Sequence, residues 1–162
     1  MKKTVYGLIF ALLVSSAINI SCAQNEGVAV GDKAPDFTLE DVNGENVSLS
    51  KTVEENSATL LVFWASWCPY CRAEIPQLQK INAEYKEKGL KVLSIDIGES
   101  KKKVEPAVKE RGINYTVLLD VDNKVADRYG IIGIPANILL DSEGVIKYRG
   151  TSPPAEDLLP KK

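Results

Sequence analysis

The 162-residue chain contains no histidine. Without imidazole, Ser-His and Cys-His hydrolytic machinery is excluded, and so are most transition-metal sites. Cysteine is scarce, with only Cys22, Cys68 and Cys71 present. A zinc site needs further ligands beyond one Cys-x-x-Cys, and this chain offers only Cys22, far away near the N-terminus. No Gly-rich phosphate loop and no dinucleotide fingerprint occurs. An excess of one charge is also lacking: 20 Lys and Arg face 22 Asp and Glu, for a net charge of −2. No basic cluster marks a nucleic-acid surface, so none is expected as a partner.

The informative stretch is Phe63-Trp64-Ala65-Ser66-Trp67-Cys68-Pro69-Tyr70-Cys71. An apolar run over 58–65 enters it and reads as a central strand buried on both faces. Ile75, Leu78, Ile81 and Tyr85 leave it at helical spacing, with Gly89 as the stop. Pro69 suits the first helical turn, and Pro76 falls inside the helix, where a proline kinks it. Two cysteines three apart share one helix face. They can close a small disulfide and reopen it. Cys68 is nearer the helix N-terminus, where unpaired N–H groups and the macrodipole favour a thiolate. It reads as the nucleophile and as the more exposed thiol, with Cys71 resolving the mixed disulfide. The competing readings are half of a zinc site and a purely structural disulfide; strand–turn–helix context favours redox exchange.

Glu74 lies three residues past Cys71 on the same face. If it is partly buried, its pKa rises and it can take the Cys71 proton. The alternative is a solvated carboxylate in a first helical turn. Trp64 reads as core and Trp67 as rim. Glu99 reads as a solvated loop acid rather than a substrate contact.

Phe63-Trp64-Ala65-x-Trp67-Cys68-x-x-Cys71 resembles the thioredoxin active-site stretch. Cys71-Arg72-Ala73-Glu74-Ile75-Pro76, Ala34-Pro35-Asp36-Phe37-x-Leu39 and Asp96-Ile97-Gly98-Glu99-Ser100 resemble the TlpA/ResA branch of that superfamily, whose members are membrane-tethered and extracytoplasmic. Gly133-Ile134-Pro135 resembles the family's cis-proline loop, and Pro69-Tyr70 resembles the glutaredoxin centre. The resemblance runs from about residue 31 to 150. Val62 stands where thioredoxins carry an acid, so Glu74 is left to move the proton. The resemblance implies an α/β thioredoxin-like fold with an N-terminal β-hairpin and a central helix–strand insertion. It implies substrate contacts at Trp67, Pro69, Tyr70, Ile134 and Pro135, no cofactor beyond the Cys68–Cys71 disulfide, and no metal. It also implies protein disulfides as substrates, a membrane thiol–disulfide carrier as electron source, and a role in cytochrome c maturation. A monomer is expected. One alternative, a peroxiredoxin, shares the Ala34-Pro35-Asp36-Phe37 pattern, but the Pro and the Thr or Ser that it needs are replaced by Leu61 and Ala65; the other is a non-enzymatic copper or zinc carrier using the Cys68–Cys71 pair.

The rest of the chain supports an exported domain. Residues 1–22 read as a signal peptide: Lys2 and Lys3, an apolar run over 5–14 too short to span a membrane comfortably, then small residues. Cys22 reads as the lipidated first residue of a lipoprotein, although Asn19 departs from that pattern; the alternative is cleavage after Ala23. Residues 23–30 read as a tether and 31–162 as the thioredoxin-like domain. Asn43-Gly44 between alternating segments signals a hairpin. Residues 51–57 read as a polar connection, 90–97 and 115–119 as parallel strands, and Ser100 as the cap of a helix to about Arg111. Residues 124–129 read as a short helix stopped by Gly130. Residues 136–140 and 145–148 read as an antiparallel pair. About two turns of helix fit after Pro153-Pro154.

Overall fold

A computed structural model describes residues 27–161. The expected signal peptide, Cys22 and the start of the tether lie outside the described residues. The hairpin forms from β1 (Thr38–Glu40) and β2 (Asn46–Ser48). Asp41 organises its turn by accepting from the Asn43 and Glu45 amides at 2.8 and 2.9 Å. The expected polar connection is instead mostly helix α1, Leu49–Glu55. Ser48 supplies its N-cap, accepting from Lys51 N, and Leu49 and Thr52 turn inward. Most of the segment is polar because only one narrow face meets the core.

Strand β3 (Ala58–Trp64) is buried along its whole length. It leads into α2 (Pro69–Tyr85), which runs through Pro76 and ends in a short 3-10 turn closed by Gly89. Then come β4 (Leu90–Ile97), α3 (Lys101–Glu110), β5 (Thr116–Asp120), α4 (Lys124–Arg128), β6 (Ala136–Asp141) and β7 (Ile146–Gly150). Ser100 sits at the N-cap of α3, but its hydroxyl makes no capping bond. Gly130 ends α4 at φ +61; a Cβ there would come within 2.5 Å of the Gly27 Cα, so the turn and the close approach both require glycine. After β7 the expected two helical turns shrink to one 3-10 turn, Glu156–Leu158. Pro160 follows at once, and Leu159 is buried against the core.

The main sheet has the order β5-β4-β3-β6-β7. Strands β3, β4 and β5 are parallel; β6 and β7 join antiparallel. Side chains alternate between faces along each strand. Leu61, Phe63, Leu93, Ile95, Ile138 and Leu140 pack on one face with α1 and α4. Tyr129 fills that side, its ring centroid 5.4 Å from Phe63 and its hydroxyl donating to Pro35 O at 2.7 Å. Leu60, Val62, Val92 and Leu139 form the other face, covered by Leu78, Ile81 and Tyr85 of α2. The α3–β5 unit lies between β4 and β6 in the chain, which is the expected insertion, and β5 becomes an edge of the sheet. Among the described residues no helix is long and apolar enough to cross a membrane.

Candidate active site

The site forms where β3 leaves the sheet. Trp64 and Ala65 are still buried, so the chain turns at the edge of the core and starts α2 immediately. Cys68 is the N-cap, and its Sγ accepts from Cys71 N at 3.2 Å. An acceptor at that position meets the unpaired amides of the first turn. Cys68 and Cys71 are joined by a disulfide, their Cα atoms 5.3 Å apart. Both are 3 % exposed, so Cys68 is not the more exposed of the two. The reason is the loop opposite: the Ile134–Pro135 bond is cis, and Ile134 O lies 3.8 Å from Cys68 Sγ. Trp67, Tyr70 and Ile132 stand exposed around this point. Pro69 is exposed at the first helical position. Trp64 is core and Trp67 is rim.

Glu74 is half-buried, one turn beyond Cys71. Its Oε2 accepts from Asn137 Nδ2 at 3.2 Å, across from β6. Burial raises the Glu74 pKa, and the Asn137 bond opposes part of the rise. Tyr115 is also pushed up, by burial first and by the Glu74 charge second. Glu74 therefore sits in the surroundings a proton acceptor needs and is no free surface carboxylate. A groove of about 900 Å³ passes it, bounded by Tyr70 and Ala73 on α2 and by Ile132, Ile134 and Pro135 opposite.

Glu99 departs from its expected place in solvent. It is buried, with Oε2 accepting from Ser66 N at 2.6 Å and Oε1 from Ser66 Oγ at 3.0 Å. It thereby ties the turn before Cys68 to the end of β4. Asp96 is fully buried on β4. Burial first, and the neighbouring Glu99 charge second, push its pKa up to about 8. Sequence reasoning had Asp96 only as part of the Asp96–Ser100 resemblance, with no role of its own, and did not single out Asn137. The available signal was a polar residue at an inward position of an otherwise apolar strand. Among the described residues no cluster of three or more His, Cys, Asp or Glu side chains is placed to hold a metal.

Two sulfurs bonded across one helical turn can take up an electron pair as a disulfide and release it as a dithiol. On this sheet, beside this proline loop, the pair makes the chain a thioredoxin-fold thiol–disulfide oxidoreductase. It belongs to the AhpC/TSA family, whose model matches residues 30–149. It is 32 % identical over 143 residues to the thiol-disulfide oxidoreductase ResA of Bacillus subtilis, covering 86 % of this chain and 79 % of that one. Over 146 residues it is 34 % identical to the ResA of Halalkalibacterium halodurans, covering 90 % and 82 %. Among solved structures it resembles the thioredoxin domain of a thiol-disulfide oxidoreductase from Bacteroides vulgatus, with a TM-score of 0.72, 30 % identity, and coverage of 82 % and 94 %. A thiol-disulfide oxidoreductase from Bacteroides fragilis gives a TM-score of 0.67 at 33 % identity, covering 73 % and 89 %.

Proposed function

We propose that this protein reduces protein disulfides outside the cytoplasm, tethered to the membrane through a lipid on Cys22. In the dithiol form, the Cys68 thiolate attacks a partner disulfide; the partner's S–S bond breaks and a mixed disulfide forms. Glu74 takes the Cys71 proton, Cys71 attacks Cys68 Sγ, and the partner leaves with both sulfurs reduced. The Cys68–Cys71 disulfide is then reduced again by a membrane thiol–disulfide carrier. Trp67, Pro69, Tyr70, Ile134 and Pro135 receive the partner chain, and the protein works as a monomer. Disulfides of apocytochrome c before haem attachment are the proposed physiological substrate, on the strength of the ResA similarity.

The observation that carries this reading is the position of Cys68 Sγ. It accepts from the Cys71 amide in the first turn of α2 and lies against the Ile134 carbonyl, where a partner chain can meet it. The test is trapping. Cys71→Ser removes the resolving thiol, so mixed disulfides should accumulate at Cys68 and be recovered after acid quenching. Adducts that instead accumulate at Cys71 in a Cys68→Ser variant would reverse the assignment.

A further inference from the structure

Register fixes which loops share one end of the main sheet. Trp64 pairs with Asp96, Ile97 with Asp120, and Phe63 with Ala136. The segments that follow β3, β4 and β5 and the one that precedes β6 therefore leave from the same end, the end that carries the disulfide. Of the well-exposed large apolar side chains, Trp67, Tyr70, Val121 and Ile132 lie in these segments; Val30 and Leu158 do not. Apolar side chains exposed singly are ordinary, but a gathering at one end marks an interaction surface.

The charges at this end lean one way. Helices α2 and α3 both start here, and neither has an acid in its first turn. Arg72 stands in the first turn of α2, and Lys101, Lys102 and Lys103 open α3. Acids suit a helix N-terminus, whereas cations there oppose the macrodipole, so the lysines gain nothing from their own helix. Lys101 turns back towards Gly44 of the hairpin. Lys102 and Lys103 are exposed and, among the described residues, form no ion pair. Asp122 is taken by Lys124 at 2.5 Å, and Glu99 is buried. Two helix N-termini and these cations give the end a positive potential, which suits phosphate groups. The chain also enters the fold here. Gly27 lies against Gly130, where a Cβ on Gly27 would come within 2.9 Å of the Gly130 Cα. Gly130 opens the loop that leads to the cis proline.

We propose that this end of the sheet is a docking surface for an anionic lipid bilayer, so that the disulfide faces the membrane. The inference rests on the reading that Cys22 carries the lipid. A lipid there keeps Gly27, and with it the start of the proline loop, no more than about 18 Å of extended chain from the headgroups. Trp67 and Tyr70 are side chains that favour the boundary between headgroups and acyl chains. Val121 and Ile132 add apolar surface at the same end. Lys102, Lys103 and Arg72 meet the lipid phosphates. The chain is attached at one point, so the domain can lift to receive a soluble partner and settle again to meet a partner within the membrane.

The test couples the chain from Cys22 onward to vesicles. In the disulfide form Cys22 is the one free thiol, so a maleimide-headed lipid attaches there alone. The vesicles are phosphatidylcholine with phosphatidylglycerol, carrying bromine on the acyl chains, which quenches an indole at the membrane boundary. Trp64 is 3 % exposed and Trp67 65 %, so quenching reports on Trp67. About half of the tryptophan emission should be lost, because one of the two indoles enters the boundary. Lys102→Glu with Lys103→Glu should relieve the quenching, since each lysine at an anionic surface is worth roughly fivefold in affinity. That variant should keep its exchange rate with a soluble chromogenic disulfide, because acids suit a first helical turn. Glu143→Trp adds an indole in the turn between β6 and β7, at the opposite end of the sheet, and its emission should stay bright. No quenching in the parent, quenching that the two lysine substitutions leave unchanged, or equal quenching of the added indole overturns the proposal. Should the charge reversal not fold, Lys102→Gln with Lys103→Gln decides on the same readout. Mass spectrometry of the mature protein separates the two levels. An unmodified N-terminus removes the tether and the proposal with it; a lipid on Cys22 without quenching keeps the tether and refutes the docking face.

Discussion

Asp96 has no exposed surface, and its pKa near 8 makes it a proton store inside the fold. An unfolded aspartate releases its proton near pH 3.9. Between about pH 4 and pH 8 the folded chain therefore holds a proton that the unfolded chain has lost. The Asp96 contribution to stability therefore falls as pH rises through that window, and levels off above it. Asp96→Asn keeps the shape and removes the titration. Denaturant melts should show the variant gaining on the parent from pH 4.5 to 8, by no more than about 1.4 kcal/mol for each step of one in pH. A difference that stays constant over that range would mean that Asp96 is ionised in the folded protein. Residue-level legibility follows the same division. Cys68, Cys71 and Glu74 share one helix face by spacing, and Pro135 stands in a short pattern whose meaning came from the family resemblance, so their places could be read from the sequence. Asp96, Glu99 and Asn137 acquire their character from neighbours brought in across the sheet, and no local spacing encodes that.

At the scale of elements, the loop that faces the cysteines is held from behind. Arg149 on β7 donates from Nη1 to Tyr129 O and from Nη2 to Gly130 O, both at 2.9 Å. These carbonyls close α4, where a cation also meets the negative end of the helix. The segment from Gly130 to Ile134 thus starts from a fixed point. Arg149→Met keeps the aliphatic stem and loses both bonds, a cost of roughly 1–3 kcal/mol for carbonyls left unmet. Amide exchange at Gly130 and Ile131, which donate to Asp127 O and Ala126 O, should quicken by at least tenfold, while β3 amides keep their protection. Equal protection in both proteins would mean that the loop is fixed by other contacts. Helix α1 shows why some elements escape sequence reading. Its Leu49, Thr52 and Val53 do follow helical spacing, but seven residues with Lys51, Glu54 and Glu55 among them read as a loop. Tertiary burial of one face decides such a short helix. By contrast β3, buried on both faces, and α2, with five buried positions at regular spacing, were plain in the sequence.

At the scale of the whole molecule, the α3–β5 unit widens the sheet and moves its border outward. Strand β5 then has β4 on one side only. The N-terminal hairpin occupies part of the other side: Asp41 bridges Leu118, and Val42 N donates to Val117 O at 3.0 Å. An unpaired strand with Val117, Leu118 and Leu119 in sequence is a template on which another chain can build. The hairpin therefore covers part of an edge that would otherwise be open to aggregation. Val42→Pro deletes the amide that covers Val117. Such a variant should retain disulfide exchange at low concentration yet scatter light sooner on warming, with an onset that falls as concentration rises. An onset matching that of the parent would show that Asp41 and the rest of the hairpin suffice. Under the proposed function the protein meets disulfide-bearing chains, and a partly covered sheet border matters more there than for most proteins. Such a partner could otherwise add a strand to the β5 edge.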